Sequence, residues 1–455
     1  MDKHEQHSEQ DDASLHQAKQ TWRQRGEELA EQQRFEEALS AYEQVIRLDA
    51  QDALAQKARG IALGELGRYE ESLAAFEEAL KIDPHNADLY YDKGVSLARL
   101  GRYEEALLAY EQALRLDPTH VDAYHNKGYS LAELGRDEEA LLAYEQALRL
   151  DPSSIQAYLN TGSSLAELGR YEEALLAYEE AQKLDPGSAV AYFNKGLTFA
   201  SLKRHEEAIR AYDAALRLDP SNANMYYSKG NSLTELGRYE EALAAYEQAL
   251  QLAPNDAQVY HNKGNTLVDL DRFEEAFEAY DTAIRLDPSN AAETYLSKGI
   301  SLAKLGRYVE ALEAYDAALG LDSSYLQVHN SKGNSLFELG RYEEALLAYD
   351  QALQLNPNYA LASNNKGLAL AELERYEEAL EAFDRALQLD PAYANAAYNK
   401  GSVLARLKRY EEAVKAYDAA LRLNPKDKDA YMRKGEALLA LYPYIPPRNA
   451  DQQGK

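Results

Sequence analysis

Apolar and polar positions along this chain follow a helical period, and the pattern restarts every 34 residues. Between Ala87 and Leu100, the residues Tyr90, Gly94, Leu97 and Leu100 fall at i, i+4, i+7 and i+10, a stripe along one helix face. Gly101 predicts a stop, because glycine enters the left-handed conformation freely. Tyr103, Ala106, Leu107, Tyr110, Ala113, Leu114 and Leu116 then mark a second amphipathic helix. Glu104 and Glu105 open it at the positive end of its dipole, and Pro118 closes it.

A glycine preceded by Lys in ten cases recurs at 94, 128, 196, 230, 264, 299, 333, 367, 401 and 435; Gly26, Gly60 and Gly162 occupy the same slot after Arg25, Arg59 and Thr161. The interval is 34 throughout, except 35 between Gly264 and Gly299. With this glycine as position 8, the units are 19–52, 53–86, 87–120, 121–154, 155–188, 189–222, 223–256, 257–290, 292–325, 326–359, 360–393 and 394–427. A first helix alone follows at 428–441, repeating Tyr431, Gly435 and Leu438. Residues 1–18 are expected to be a polar disordered arm, and 442–455, with Pro443, Pro446 and Pro447, a flexible tail.

Aromatic residues fill position 4 in most units, position 17 in all but Asp137 and His205, and position 24 in all; Ala fills 20 and 27 apart from Ser72 and Val45, and Pro fills 32 in ten units. This pattern resembles the tetratricopeptide repeat, from Lys19 to Leu441. The resemblance implies an all-α fold, an α-solenoid of antiparallel helix pairs forming a right-handed superhelix with first helices lining its concave surface. One unit cannot bury its own apolar face, so stability is expected to come from stacking of neighbours. The large residues at 4, 11, 17, 24 and 28 are expected to fill the space that small residues at 8, 20 and 27 leave.

Units ten to twelve lack the aromatic at position 4, showing His329, Ser363 and Ala397, and each is preceded by a tyrosine four residues upstream: Tyr325, Tyr359 and Tyr393. These tyrosines are expected to supply the missing packing, one helical turn earlier on the same face.

Repetition also explains the composition. Of 35 Tyr, 26 lie in positions 4, 17 and 24, and most of the acidic excess (77 Asp+Glu against 49 Lys+Arg, net charge −28) comes from Glu-Glu pairs at positions 18–19 and Asp at 31. Such a charge opposes nucleic acid and anionic membrane surfaces. No apolar run approaches the ~20 residues of a membrane span, and the acidic N-terminal stretch is unlike a signal peptide, so a cytoplasmic protein without membrane insertion is expected. Without any Cys there is no disulfide, thiolate metal site or thiol nucleophile. His4, His7 and His16 are spread through the arm and read as solvated side chains rather than a metal site. The paired glutamates recur identically on an exposed first turn, which suits dipole capping and not acid–base catalysis. No enzyme, no metal and no cofactor are expected.

The variable columns are where a ligand would be read. With 4, 8 and 11 assigned to the core, positions 5, 6 and 9 face the groove that the resemblance implies. They carry Tyr91, His125, Asn126, Tyr129, Leu159, Asn160, Phe193, Asn194, Tyr227, Asn231, His261, Asn262, Asn265, Asn334, Asn365 and Asn399, the candidate peptide-binding residues. Rings can take apolar side chains, and each amide can both donate to and accept from a peptide backbone. The Asn column is similar to the ladder in the repeat domain of the O-linked N-acetylglucosamine transferases, whose catalytic part has no counterpart here. The carboxylate clamp of tetratricopeptide co-chaperones is not matched: His261 and Asn265 are followed by Ser297, and Asn330 and Asn334 by Asn365, Asn395 and Asn399. Lys at position 7 has two readings, a stem packed beside the core with its ammonium reaching a carboxylate, or an inner cationic spine for an acidic ligand. The expected function is a non-catalytic scaffold binding extended segments of other proteins or peptides, self-association being left open. The alternative is a regulatory or targeting subunit of a separate enzyme or assembly machine.

Overall fold

A computed structural model describes residues 3–442, and the side chains of 14–442. It divides into two compact bodies at Leu236–Gly237. The first contains α1 (Lys3–Glu31), α2 (Phe35–Leu48), α3 (Ala53–Glu65), α4 (Tyr69–Ile82), α5 (Ala87–Arg99), α6 (Tyr103–Leu116), α7 (Val121–Glu133), α8 (Asp137–Leu150), α9 (Ile155–Glu167), α10 (Tyr171–Leu184), α11 (Ala189–Ser201), α12 (His205–Leu218) and α13 (Ala223–Glu235). The second contains α14 (Tyr239–Leu252), α15 (Ala257–Asp269), α16 (Phe273–Leu286), α17 (Ala292–Lys304), α18 (Tyr308–Leu321), α19 (Leu326–Glu338), α20 (Tyr342–Leu355), α21 (Ala360–Glu372), α22 (Tyr376–Leu389), α23 (Ala394–Arg406), α24 (Tyr410–Leu423) and α25 (Lys428–Leu441). All elements among the described residues are helices.

Sequence explains each pair. At the turn after α5, Gly101 has φ +72°, its N–H donates to Ala98 O and the Arg102 N–H to Leu97 O, both at 2.9 Å. Those two bonds satisfy carbonyls the helix end would leave open. Arg102 then starts α6, and its guanidinium holds both oxygens of Glu105 at 2.7 and 2.6 Å. The same Arg-to-Glu fork recurs at Arg136 and Glu139, Arg307 and Glu310, and Arg409 and Glu412. One arm of the Arg also reaches the previous unit, as from Arg136 to Glu104 at 3.6 Å. The glutamates are therefore clasped by arginine as well as placed on the helix dipole.

Close approach within a pair is set at position 8. A Cβ on Gly94 would lie 2.5 Å from Cε1 of Tyr110, so only glycine lets that ring lie flat on the first helix. The ring column at position 24 is fully buried, as at Tyr110, Tyr144, Tyr212 and Phe383, each ring contributing roughly 1.5–3 kcal/mol.

The first-helix core stripe differs from the 4, 8, 11 expectation. Position 3 is buried (Leu89, Ala123, Met225, Val259), as are position 10 (Ser96, Ser130, Thr198) and most of position 11, whereas the position 4 tyrosines are only half-buried. Hydroxyls at position 10 such as those of Ser96 and Thr198 bond back within their own helix, Ser96 Oγ to Asp92 O at 3.1 Å and Thr198 Oγ1 to Asn194 O at 2.9 Å, so a polar residue buries as a small one. The lone helix α25 shows the same shift: Ala430 and Ala437 are buried, and Tyr431 is 55% exposed.

At the N-terminus α1 begins at Lys3, so 3–18 is helical and not the disordered arm expected. Residues 3–25 contain neither Gly nor Pro, and nothing in them interrupts the helix. Of the expected tail 442–455, all but Tyr442 lies outside the described residues. Tyr325, Tyr359 and Tyr393 are half-buried at the N-cap positions of α19, α21 and α23, and Tyr325 packs on the core. They replace the side-chain cap seen at Asp52, Asn86 and Ser188, exchanging a capping bond for ring burial.

Within each body, first helices from α3 on touch the next first helix, and second helices make no comparable contact with one another. First helices therefore lie on the inner side of each stack.

Candidate functional site

The inner face is built in layers. Position 5 packs its ring over the buried ring at position 24 of its own unit: Tyr91 lies 6.2 Å from Tyr110, His125 5.9 Å from Tyr144, Phe193 5.9 Å from Tyr212 and His261 6.1 Å from Tyr280. Position 6 of the next unit then reaches back to position 5. Asn126 Nδ2 donates to Tyr91 OH at 3.1 Å, and Asn160 Nδ2 to His125 Nε2 at 3.0 Å. In the second body Asn365 Nδ2 donates to Asn330 Oδ1 and Asn334 Oδ1 at 3.3 and 3.0 Å, and Asn399 Nδ2 to Asn364 Oδ1 at 3.0 Å. Position 9 closes the layer from beneath: the hydroxyls of Tyr280 and Tyr349 donate to Asn265 Oδ1 and Asn334 Oδ1 at 2.7 and 2.9 Å.

The candidate residues thus divide. Leu159 and His261 are 7% and 5% exposed and belong to the packing. Both nitrogens of His261 are used: Nε2 accepts from Asn265 Nδ2 at 3.0 Å, so Nδ1 carries the proton and donates to Thr294 Oγ1 at 2.9 Å. Burial holds that imidazole below its ordinary range, and burial pushes the Tyr91 phenol up to about 12. Tyr129 and Asn334 are exposed, while His125, Asn126, Asn160, Phe193, Asn194, Tyr227, Asn231, Asn262, Asn265, Asn365 and Asn399 are half-buried. Asn262 Oδ1 accepts from Gln258 at 3.3 Å. Among the described residues the Asn194 amide has no hydrogen-bond partner, since the residue it would reach back to is Leu159. Sequence reasoning missed the bridging role of Asn330 and Asn364; the pairing of Asn at 5 with Asn at 6 one unit on was the available signal.

The lysine column resolves into its packing reading. Lys93 Nζ lies 2.9 Å from Glu77, Lys127 3.1 Å from Glu111, Lys366 2.7 Å from Asp350 and Lys400 2.5 Å from Asp384. Each partner is the position 25 acid of the preceding unit, on the second-helix side, so no cationic spine faces the inner surface. Among the described residues no three His, Asp or Glu side chains gather to hold a metal, and no helix is long and apolar enough to cross a membrane.

The family model for the tetratricopeptide repeat matches residues 23–87, 91–155, 127–189, 159–222, 193–257, 261–325 and 330–394, and a second model of the same repeat matches 394–427. The chain is a tetratricopeptide repeat protein. Proteins of this fold are typically protein–protein interaction scaffolds. This tetratricopeptide repeat protein is also similar to three solved structures. The Cut9–Hcn1 hetero-tetramer of APC/C shares 16% identity, with 92% of this chain and 96% of that one covered and a TM-score of 0.45. Yeast Tom70 shares 15%, covering 86% and 95%, with a TM-score of 0.44. YrrB, described as having an unusual peptide-binding site, shares 28%, covering 42% and 97%, with a TM-score of 0.37. Comparison of this repeat protein with curated proteins finds no match.

Proposed function

We propose that this tetratricopeptide repeat protein is a non-catalytic scaffold that binds extended segments of partner proteins along the inner face of its first helices. The observation that carries this reading is Asn194, a half-buried amide with no hydrogen-bond partner among the described residues, set beside the half-buried ring of Phe193 and the exposed Leu197. Its polar atoms are left to solvent, and a peptide backbone supplies both an acceptor and a donor for them. Neighbouring amides such as Asn160 spend one N–H on the previous unit. Contacts of this strength, repeated along the face, sum over a long segment.

The test begins with co-purification and mass spectrometry to identify a partner, followed by affinity measurement on its binding segment. Replacing Asn160, Phe193 and Asn194 together by Ala should weaken that affinity by roughly tenfold or more while the helical signal persists. Equal affinity in a folded triple variant would sink the inner-face reading. A single Asn194→Ala variant, which removes no internal hydrogen bond, separates loss of contact from loss of packing.

A further inference from the structure

Repeat position 7 carries Arg or Lys in every unit but one, where it is Thr161. Each of the ten lysines sets its ammonium 2.5–3.3 Å from the position 25 acid of the unit before. Thr161 cannot reach: its hydroxyl donates to Ala157 O in its own helix at 2.7 Å. Glu145, the acid at that junction, is left with Arg149 one turn along α8 at 2.6 Å, an exposed pair that holds it weakly.

The shorter side chain opens a cleft of about 510 Å³ between α8, α9 and α10, walled by Leu141, Leu148 and Leu165 and lined further by Glu138, Glu145, Glu173, Arg149 and Arg170, of which Arg170 is already clasped to Glu173. The corresponding slot at Lys366, between Leu353, Leu370 and Glu378, measures about 240 Å³. The lysine stem that narrows the one slot is missing from the other, and the carboxylate that receives its ammonium is still in place. Leu142 at the edge of the cleft belongs to an outward row, Leu108, Leu142 and Leu176, at position 22 of three consecutive units and 65%, 62% and 62% exposed.

We propose that this cleft and leucine row form a docking surface for a basic amphipathic helix of a partner, one of whose lysines enters the Thr161 cleft and pairs with Glu145. The molecule itself shows that a lysine fits, ten times over. Charge favours it as well: α6, α8 and α10 with their N-cap arginines carry eleven acidic and six basic side chains. A second copy of this chain, at net charge −28, is opposed by the same field. The surface lies on the second-helix side and leaves the inner face free, so it is independent of the reading proposed above.

A fluorescently labelled model helix of leucine and lysine, titrated with the full chain by anisotropy, tests the surface. Thr161→Lys fills the cleft from within and should lower affinity roughly tenfold or more; Thr161→Met fills it without charge and should do the same. Glu145→Gln should weaken binding several-fold, by removing the acceptor. Ser40→Lys adds the same charge at position 22 of another unit, on an exposed site, and should leave affinity unchanged. Absence of binding to the wild-type chain, wild-type affinity in folded Thr161→Lys, or an equal loss in Ser40→Lys would each overturn the proposal, the last by assigning binding to bulk charge.

Discussion

Five residues hold a backbone conformation that suits glycine better: Gln33, Lys203, Asp271, Glu374 and Lys408, with φ between 56° and 61°. All five stand at position 15, where the other seven units have Gly with φ between 69° and 74°. The turn demands the left-handed region whatever residue occupies it, and a side chain there costs about 1–2 kcal/mol. Part of the gain on removing it is lost to the greater freedom of glycine in the unfolded chain. Glu374→Gly and Lys408→Gly are each expected to raise stability by roughly 0.5–1 kcal/mol, read as a higher urea midpoint; an unchanged or lower midpoint would refute the strain. The opposite holds at position 8. Gly94→Ala drives a methyl to 2.5 Å from the Tyr110 ring, which lies against a helix on its other side and cannot retreat, so a loss of roughly 1–3 kcal/mol is expected. Both glycine columns were legible in the sequence because a backbone or steric demand repeats in every unit. Ser96 and its column were not, because a hydroxyl that bonds to its own helix looks polar and packs as small.

At the scale of the helix, Asp137 stands where most units have a tyrosine. It is the first residue of α8 and is buried, 8% exposed, beneath its neighbours. The helix dipole repays an acid there by about 0.3–1 kcal/mol, but a half-buried tyrosine in the same column would contribute about twice that by covering apolar surface. Asp137→Tyr is therefore expected to stabilise the chain by about 1 kcal/mol, measured as a raised thermal midpoint; a fall would show that the carboxylate is needed where it sits. The helices themselves were readable from periodicity and their Gly and Pro punctuation. The rotation of the first helix was not, because the conspicuous aromatic at position 4 drew the stripe toward itself. The truly buried column at position 3 alternates among Leu89, Ala123, Met225 and Val259 and shows no single residue to follow. The candidate site was legible as a set of columns, but not which members spend their polar atoms on the neighbouring unit: Asn126 does and Asn194 does not.

For the whole chain the repeated tyrosine makes stability depend steeply on alkaline pH. Burial raises the phenol of Tyr280 and of Tyr315 from 10.0 to about 12, and it raises Tyr110, Tyr144 and Tyr212 further. A group whose folded pKa lies above its unfolded value keeps its proton longer in the fold. Its contribution is full below pH 10 and is lost as pH climbs through the folded value. Each such tyrosine removes up to about 1.4 kcal/mol per pH unit in that window, and several act together. The chain is accordingly expected to unfold cooperatively above pH 10, the helical signal collapsing together with the appearance of tyrosinate absorbance. Phe76 and Phe383 show that the ring column accepts phenylalanine, so replacing Tyr110, Tyr144 and Tyr315 by Phe should move the alkaline midpoint upward and leave neutral stability nearly unchanged. A midpoint that stays put in the triple variant would assign alkaline unfolding to loss of the lysine and arginine pairs instead, and would detach it from the tyrosine core.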